Sequence, residues 1–431
     1  MIAMKQTFSF LIMTVATMFF SVRVFAQKEL AKMVAGIPVN YNEDSVGTYT
    51  LPNPLLLSNG KTVAGANTWI KKRRPEIVKL YEENQFGKTP GKPVDLRFDI
   101  FEKGTPAFDG KAIRKQVTVY FTKDTVHKMD LVIYVPANAT KPSPLLLHVA
   151  FSANSNVIND AGIKQGFIWT KEGKKIPAKE GVYPNKLNVS PFIDAGFAVA
   201  TVYYGDIEPD FINGIQYGIR GAYLKLGETQ PAANEWGAIS AWAWGLSRAM
   251  DYFETDKQID AKRIALFGVS RLGKTVLWTG AHDTRFAMVI ANCSGEGGAA
   301  LSRRNYGETI KHLCAPTRYA YQFCANYQKY GDNVSGFPID GHMLISLMAP
   351  RPLLLQTGDI DYWSDPKGEF LGATAATPVY HLFGKQGMEN TTMPAAGQPI
   401  LNTLGYFMHS GGHGTVPTDW DIAIQFMKKY L

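Results

Sequence analysis

The chain has 431 residues, 45% hydrophobic and 19% charged, a balance that argues against disorder and allows a large buried core. Its formal net charge of +8 is not gathered into a block, so nucleic acid is not an expected partner; the densest basic run, Lys71-Lys72-Arg73-Arg74, reads as a solvated helix face. Three cysteines, Cys293, Cys314 and Cys324, are too few for a disulfide scaffold and allow at most one bridge within the chain.

The first 26 residues read as a secretory signal peptide. Lys5 gives the positive start, the run 8–22 is mostly apolar, and Val24-Phe25-Ala26 ends on a small residue ahead of the polar Gln27-Lys28-Glu29. That run is short for a membrane span and no later one is long enough, so the chain is expected to be exported, to the periplasm or the medium. Residues 27 to about 95 are rich in turn signals, with a helical stretch over 69–86. Extended segments follow at 116–121, 130–135, 145–149 and 197–203. A helix is expected over 235–254, where Trp236, Ile239, Trp242, Leu246 and Met250 recur on one face. Strands continue at 264–267, 287–291, 352–356 and 405–408, ahead of a closing helix from about 419. Short apolar strands alternating with helices imply an α/β fold, a mostly parallel sheet with helices on both faces. No linker divides 27–431, so one domain with loop insertions is expected. The oligomeric state leaves no mark in the sequence.

The most informative stretch is Gly268-Val269-Ser270-Arg271-Leu272-Gly273-Lys274, set between the strand at 264–267 and an apolar-periodic segment. A serine at such a junction sits on a sharp turn that exposes its hydroxyl beside a helix N-terminus. The usual elbow pattern is G-x-S-x-G; here Leu272 takes the last glycine's place and Gly273 follows one position later. A serine hydroxyl is a weak nucleophile, so it needs a base, and the base needs an acid to hold it. In a three-layer α/β-hydrolase sheet these partners come in the order serine, acid, histidine. Only His409 and His413 lie after the last strand. His413, in the loop Ser410-Gly411-Gly412-His413-Gly414, is preferred as the base over His409, which reads as a packed residue. For the acid, Asp361 ranks first, then Glu296, then Asp365; Asp365 before Pro366 also fits a helix cap, and Asp359 lies close to the strand end. No zinc-ligand spacing is evident, and His409 and His413 have no third ligand near them.

The elbow, with Tyr204-Gly205-Asp206-Ile207, Trp236-Gly237-Ala238-Ile239, Ser294-Gly295-Glu296-Gly297-Gly298, Ala349-Pro350-Arg351 and Asp361-Tyr362-Trp363-Ser364-Asp365-Pro366, resembles the bacterial branch of the glucuronoyl esterases, carbohydrate esterase family 15. The resemblance covers about 200–415. It implies Ser270 as nucleophile, His413 as base, Arg271 at the oxyanion, and Lys274, Glu308 and Trp363 lining a sugar pocket. In many members the acid is a glutamate about 23 residues after the serine; here that position is Cys293, which cannot serve, and the acid of other bacterial members falls on Asp361. The implied activity is hydrolysis of esters of 4-O-methyl-glucuronic acid on a cell-wall polysaccharide, with no cofactor and no metal. An acetylxylan-type esterase on the same fold, and a glycan-binding protein without turnover, are the competing readings.

Overall fold

The computed structural model describes residues 30–179, 186–389 and 391–431; the expected signal peptide, 1–26, lies outside them. Nine strands form the main sheet: β1 (Arg97–Ala107), β2 (Ala112–Tyr120), β3 (Lys128–Pro136), β4 (Ser143–Ala150), β5 (Ala198–Tyr203), β6 (Ile259–Val269), β7 (Met288–Asn292), β8 (Leu353–Gly358) and β9 (Leu404–His409). Their spatial order is β9-β8-β7-β6-β4-β5-β3-β2-β1. The six strands from β9 to β5 are parallel, and β3, β2 and β1 extend the sheet antiparallel. The chain adopts the α/β class expected from the alternation of strands and helices, with the α/β-hydrolase sheet that the serine elbow implied.

The longer helices are α1 (Arg74–Asn84), α2 (Ala238–Phe253), α3 (Arg271–His282), α4 (Pro366–His381) and α5 (Pro417–Tyr430). Alternate side chains of the parallel strands feed two cores, as the period-2 pleat requires. Leu145, Leu147 and Val149 pack with Trp242 of α2, Leu277 of α3 and Phe370 of α4. Leu146, Phe267 and Ile290 pack on the other face with Ile422, Phe426 and Met427 of α5.

Two sequence expectations need adjustment. Helix α2 is buried around its whole circumference, not on one face, because the segments carrying Tyr204 and Trp236 close over its outer side. The basic run at 71–74 is only half solvated: Arg73 is buried, its Nε donating to Pro54 O (3.0 Å) and its Nη1 to Glu76 (3.0 Å), while Arg74 Nε donates to Leu347 O (3.3 Å). Arginine's fixed fork of donors satisfies carbonyls that solvent does not reach, a use that charge counting misses. The three cysteines are all free.

Candidate active site

Strand β6 ends at Val269 and α3 begins at Arg271, so Ser270 alone makes the turn. Its backbone lies at φ 60°, ψ −126°, in the region disfavoured for residues with a side chain. The strain is held on both sides: Ser270 N donates to Asn292 O at the end of β7 (2.8 Å), and Lys274 N donates to Ser270 O (3.0 Å). Two glycines make the turn possible. A Cβ on Gly268 would stand 2.3 Å from Leu272 O, and one on Gly273 2.9 Å from Asn292 O. Gly273 is therefore where α3 crosses closely over β7, and the place usually taken by the motif's last glycine is filled by the fully buried Leu272. The first amides of α3 have no intrahelical acceptor and present a positive end beside the serine hydroxyl.

His413 and Asp361 come from the loops after β9 and β8. Those loops are laced by Asp359 N to His409 O (3.0 Å) and Ile360 N to Gly411 O (3.2 Å). Asp361 Oδ2 lies 2.7 Å from His413 Nδ1, and Ser364 Oγ lies 3.2 Å from the same nitrogen. Burial would raise the Asp361 carboxyl, but the hydrogen bond and charge of His413 overcome this and hold it below its ordinary value. A carboxylate is acceptor-only, so it fixes the ring proton on Nδ1 and leaves Nε2 free. Ser270, His413, Asp361 and Cys293 line one cavity of about 240 Å³ with Arg271, Lys274, Glu308, Arg318, Tyr319, Gln322, Trp363 and Ser364. Ser270 and His413 are not hydrogen-bonded to each other; in unliganded sites that contact is commonly long and tightens with substrate.

The other acid candidates are engaged elsewhere. Glu296 accepts from Ser302 Oγ (2.7 Å) and Tyr327 OH (3.0 Å) in the interior. Asp365 caps α4 through Gly368 N (2.9 Å) and accepts from Arg304 Nε (2.7 Å), and Asp359 accepts from Gly411 N (2.8 Å). His409 is fully buried, its Nδ1 on Asp419 (3.0 Å) and its Nε2 3.0 Å from Gly412 O. Cys293 stands beside the Asp361–His413 pair. Burial and the Asp361 charge push its thiol well above its ordinary value, so it stays protonated. Donor atoms of Cys293, Asp361 and His413 lie within 4.8 Å of one another, but holding a cation there would displace the Nδ1 proton and strip that thiol.

Three polar residues of the site escaped the sequence reading. Asp210 is bonded by Arg271, Tyr204 OH (2.9 Å), Tyr321 OH (2.7 Å) and Gln322 Nε2 (2.7 Å). Burial opposes the charge of Arg271, and Asp210 overrides it, keeping the guanidinium charged. Arg318 Nη2 holds Glu308 (2.7 Å), and its guanidinium lies 5.1 Å from the Trp363 ring centre. Gln322 joins the cavity wall with them. Lys274 is buried, and its ammonium is pulled down by that burial against the pull of Glu308. Asp210 follows β5 at the carboxyl end of the sheet, where open α/β sheets place their ligands; that position was the available signal. Arg318 and Gln322 lie in a loop with no periodic or motif signal.

This fold, with a strained serine at the elbow and an aspartate-held histidine across one cavity, defines the class as an α/β-hydrolase. The family description "glucuronyl esterase, fungi" matches residues 183–384. The chain is 43% identical to the carbohydrate esterase MZ0003 of an unknown prokaryotic organism, over 91% of this chain and 92% of that one. It superposes on a glucuronoyl esterase from Solibacter usitatus with a TM-score of 0.86 at 45% identity, covering 90% of this chain and 99% of that one. A promiscuous esterase of carbohydrate esterase family 15 from a marine bacterial metagenome matches with a TM-score of 0.84 at 42% identity, covering 91% and 100%. The chain belongs to carbohydrate esterase family 15, the glucuronoyl esterases.

Proposed function

We propose that this protein is a carboxylic ester hydrolase that cleaves esters of glucuronic acid, of the 4-O-methyl-glucuronoyl type, on a polysaccharide, with Ser270, His413 and Asp361 as its triad. The observation that carries the triad is the 2.7 Å contact between Asp361 Oδ2 and His413 Nδ1 on the rim of the cavity that Ser270 also lines. Ser270 Oγ attacks the uronate carbonyl as His413 Nε2 takes its proton. The carbonyl oxygen becomes an oxyanion facing the first amides of α3 and the Arg271 guanidinium. Those donors are already positioned when charge develops, so they lower the barrier without reorganisation. The tetrahedral intermediate expels the alcohol, which takes the proton from His413, and leaves an acyl-enzyme. Water, deprotonated by His413, releases the uronic acid and restores Ser270.

Lys274, Glu308 and Trp363 supply the remaining requirements of a sugar pocket: a cation and a carboxylate for hydroxyls, and a flat ring for the pyranose face. Arg318 positions the last two by touching both. The apolar segment near the start of the chain supports export, and the undivided run 27–431 supports one catalytic domain. No helix among the described residues is long and apolar enough to cross a membrane. The test is a panel of methyl glucuronate and acetyl esters, run with wild type and Ser270→Ala. Faster turnover of the uronate esters and a loss of about 10⁴-fold or more in the variant are expected. Preference for acetyl esters would assign the acetylxylan-type activity instead, and undiminished Ser270→Ala turnover would refute the serine mechanism.

A further inference from the structure

A second cavity, of about 350 Å³, is lined by residues that directly follow β4 and β5: Ala153 and Asn154 after the first, Asp206 after the second. The same two segments also serve the active site. The Arg271 guanidinium lies 6.0 Å from the Phe151 ring, Phe151 packs edge-on against Tyr204 at 5.5 Å, and Tyr204 OH donates to Asp210 (2.9 Å). The two cavities are therefore neighbours along the carboxyl end of the sheet.

The second cavity is polar in a specific way. Asn154 is only 6% exposed; its Nδ2 donates to Asp130 O (2.8 Å), while its Oδ1 has no partner among the described residues. A buried acceptor left in this state calls for a donor. Asp206 pairs with Lys175 (3.5 Å) and Asp130 with Lys164 (3.2 Å), and Lys128 adds a third ammonium. Two phenyl rings on the lining, Phe101 and Phe167, are 42% and 44% exposed, and the Lys164 ammonium lies 4.9 Å from the Phe101 ring centre. An anion would meet two carboxylates here and a cation three ammonium groups. A neutral ligand with many hydroxyls and flat apolar faces suits both the mixed signs of charge and the rings. Burial, with Asp130 nearby, pushes the Asp206 carboxyl up to about 7, so near neutrality it can donate as well as accept.

We infer that this cavity is a second saccharide subsite, holding an unesterified sugar residue of the polysaccharide whose uronate ester reacts at Ser270. The inference rests on the glycan-ester reading above. Its size is at the low end for ligand sites, enough for a short stretch of glycan.

The test is calorimetric titration of the full chain with xylotetraose, which carries no ester, using wild type, Phe167→Ala and Asn154→Ala. Hydrolysis of a methyl glucuronate ester is followed in parallel. Wild type should bind, and Phe167→Ala should weaken binding about fivefold, the loss of one stacked ring. Asn154→Ala should weaken it by a similar factor through the lost acceptor. Both variants should keep kcat/KM on the small ester within about twofold of wild type, since neither touches the reacting atoms. Phe167 is on the surface, so that variant remains informative if Asn154→Ala fails to fold. Absence of xylotetraose binding to wild type overturns the inference. So does wild-type affinity in Phe167→Ala, or competitive inhibition of small-ester hydrolysis by xylotetraose, which would place the sugar in the catalytic cavity. If wild type does not hydrolyse the methyl ester at all, the esterase reading fails, and the titration still reports on the second cavity.

Discussion

Asp361 carries the sharpest residue-level expectation, because Cys293 stands beside the Asp361–His413 pair as a protonated thiol that cannot itself hold the base. Asp361→Asn would keep the shape, but its amide would favour the wrong tautomer of His413. A kcat loss on the order of 10³–10⁴-fold is expected. Glu296→Gln and Asp365→Asn should leave kcat close to wild type, since both groups hydrogen-bond away from the imidazole. Glutamate at position 293 in the Asp361→Asn background should recover part of the loss, because the Cys293 thiol already faces the Asp361–His413 pair. Steady-state rates of the set decide the matter; a silent Asp361→Asn would remove the residue from the mechanism. Asp210, which bonds the Arg271 guanidinium, tests the oxyanion role proposed for that arginine. Asp210→Asn takes away the carboxylate that keeps the guanidinium charged and aimed. It should lower kcat about tenfold with a smaller change in KM, as expected for a group that matters most when the oxyanion forms. An equal fall in kcat/KM carried by KM alone would assign Arg271 to ground-state binding.

At the scale of elements, the strand–turn–helix unit of β6, Ser270 and α3 is the device that turns a serine into a candidate nucleophile. Gly268→Ala tests it without touching a reacting group. The added Cβ would stand 2.3 Å from Leu272 O, a backbone atom that cannot swing aside, so the first turn of α3 must move. A stability loss of about 2–3 kcal/mol is expected, together with a fall in kcat larger than any fall in the folded fraction explains. Thermal melts paired with rates on folded protein separate the two effects. Helix α4 contributes differently. It delivers Glu369 from below, whose Oε1 accepts from Gly295 N (2.5 Å) and Ser294 Oγ (3.0 Å) and so anchors the loop beside Cys293.

For the whole molecule, four carboxyls have folded-state values raised by burial above their ordinary range, Asp365 at about 6, Asp206 at about 7, and Glu296 and Glu369 highest. Burial raises both Glu296 and Glu369 from 4.5 to about 8. A folded-state value above the unfolded one means that the native chain holds protons the unfolded chain has released. That stabilisation is complete below about 4.5 and is lost as pH rises towards 8. Asp361 runs the other way: its depressed value contributes stability above the ordinary carboxylate range, lost as pH falls through the folded value. Chemical denaturation between pH 5 and 8.5 should therefore show falling stability, and Glu369→Gln should flatten that slope because an amide does not titrate. A slope unchanged in Glu369→Gln would show that this carboxyl is already ionised in the fold.

Much of this protein is decided within short windows of sequence. The parallel strands are apolar runs that the pleat buries on both faces, so β4 to β9 were legible, as was the elbow, whose chemistry is local to seven residues. The placements of His409 and His413 were legible too, because a glycine-rich loop after the last strand can carry an imidazole outward while a strand-end histidine packs inward. The edge strand β1 was not, since it is largely solvated and carries no apolar run. The burial of α2 on every side depends on segments remote in the chain that close over it. Asp210 meets Arg271 across 61 residues, and Arg318 reaches both Glu308 and Trp363 from a loop without pattern. Glu296, Asp359, Asp361 and Asp365 are all carboxylates on loops at the carboxyl ends of strands, equal in local chemistry. Only the packing of the β8 and β9 loops against each other gives one of them the histidine, because a hydrogen bond is decided by ångströms that a linear sequence does not encode.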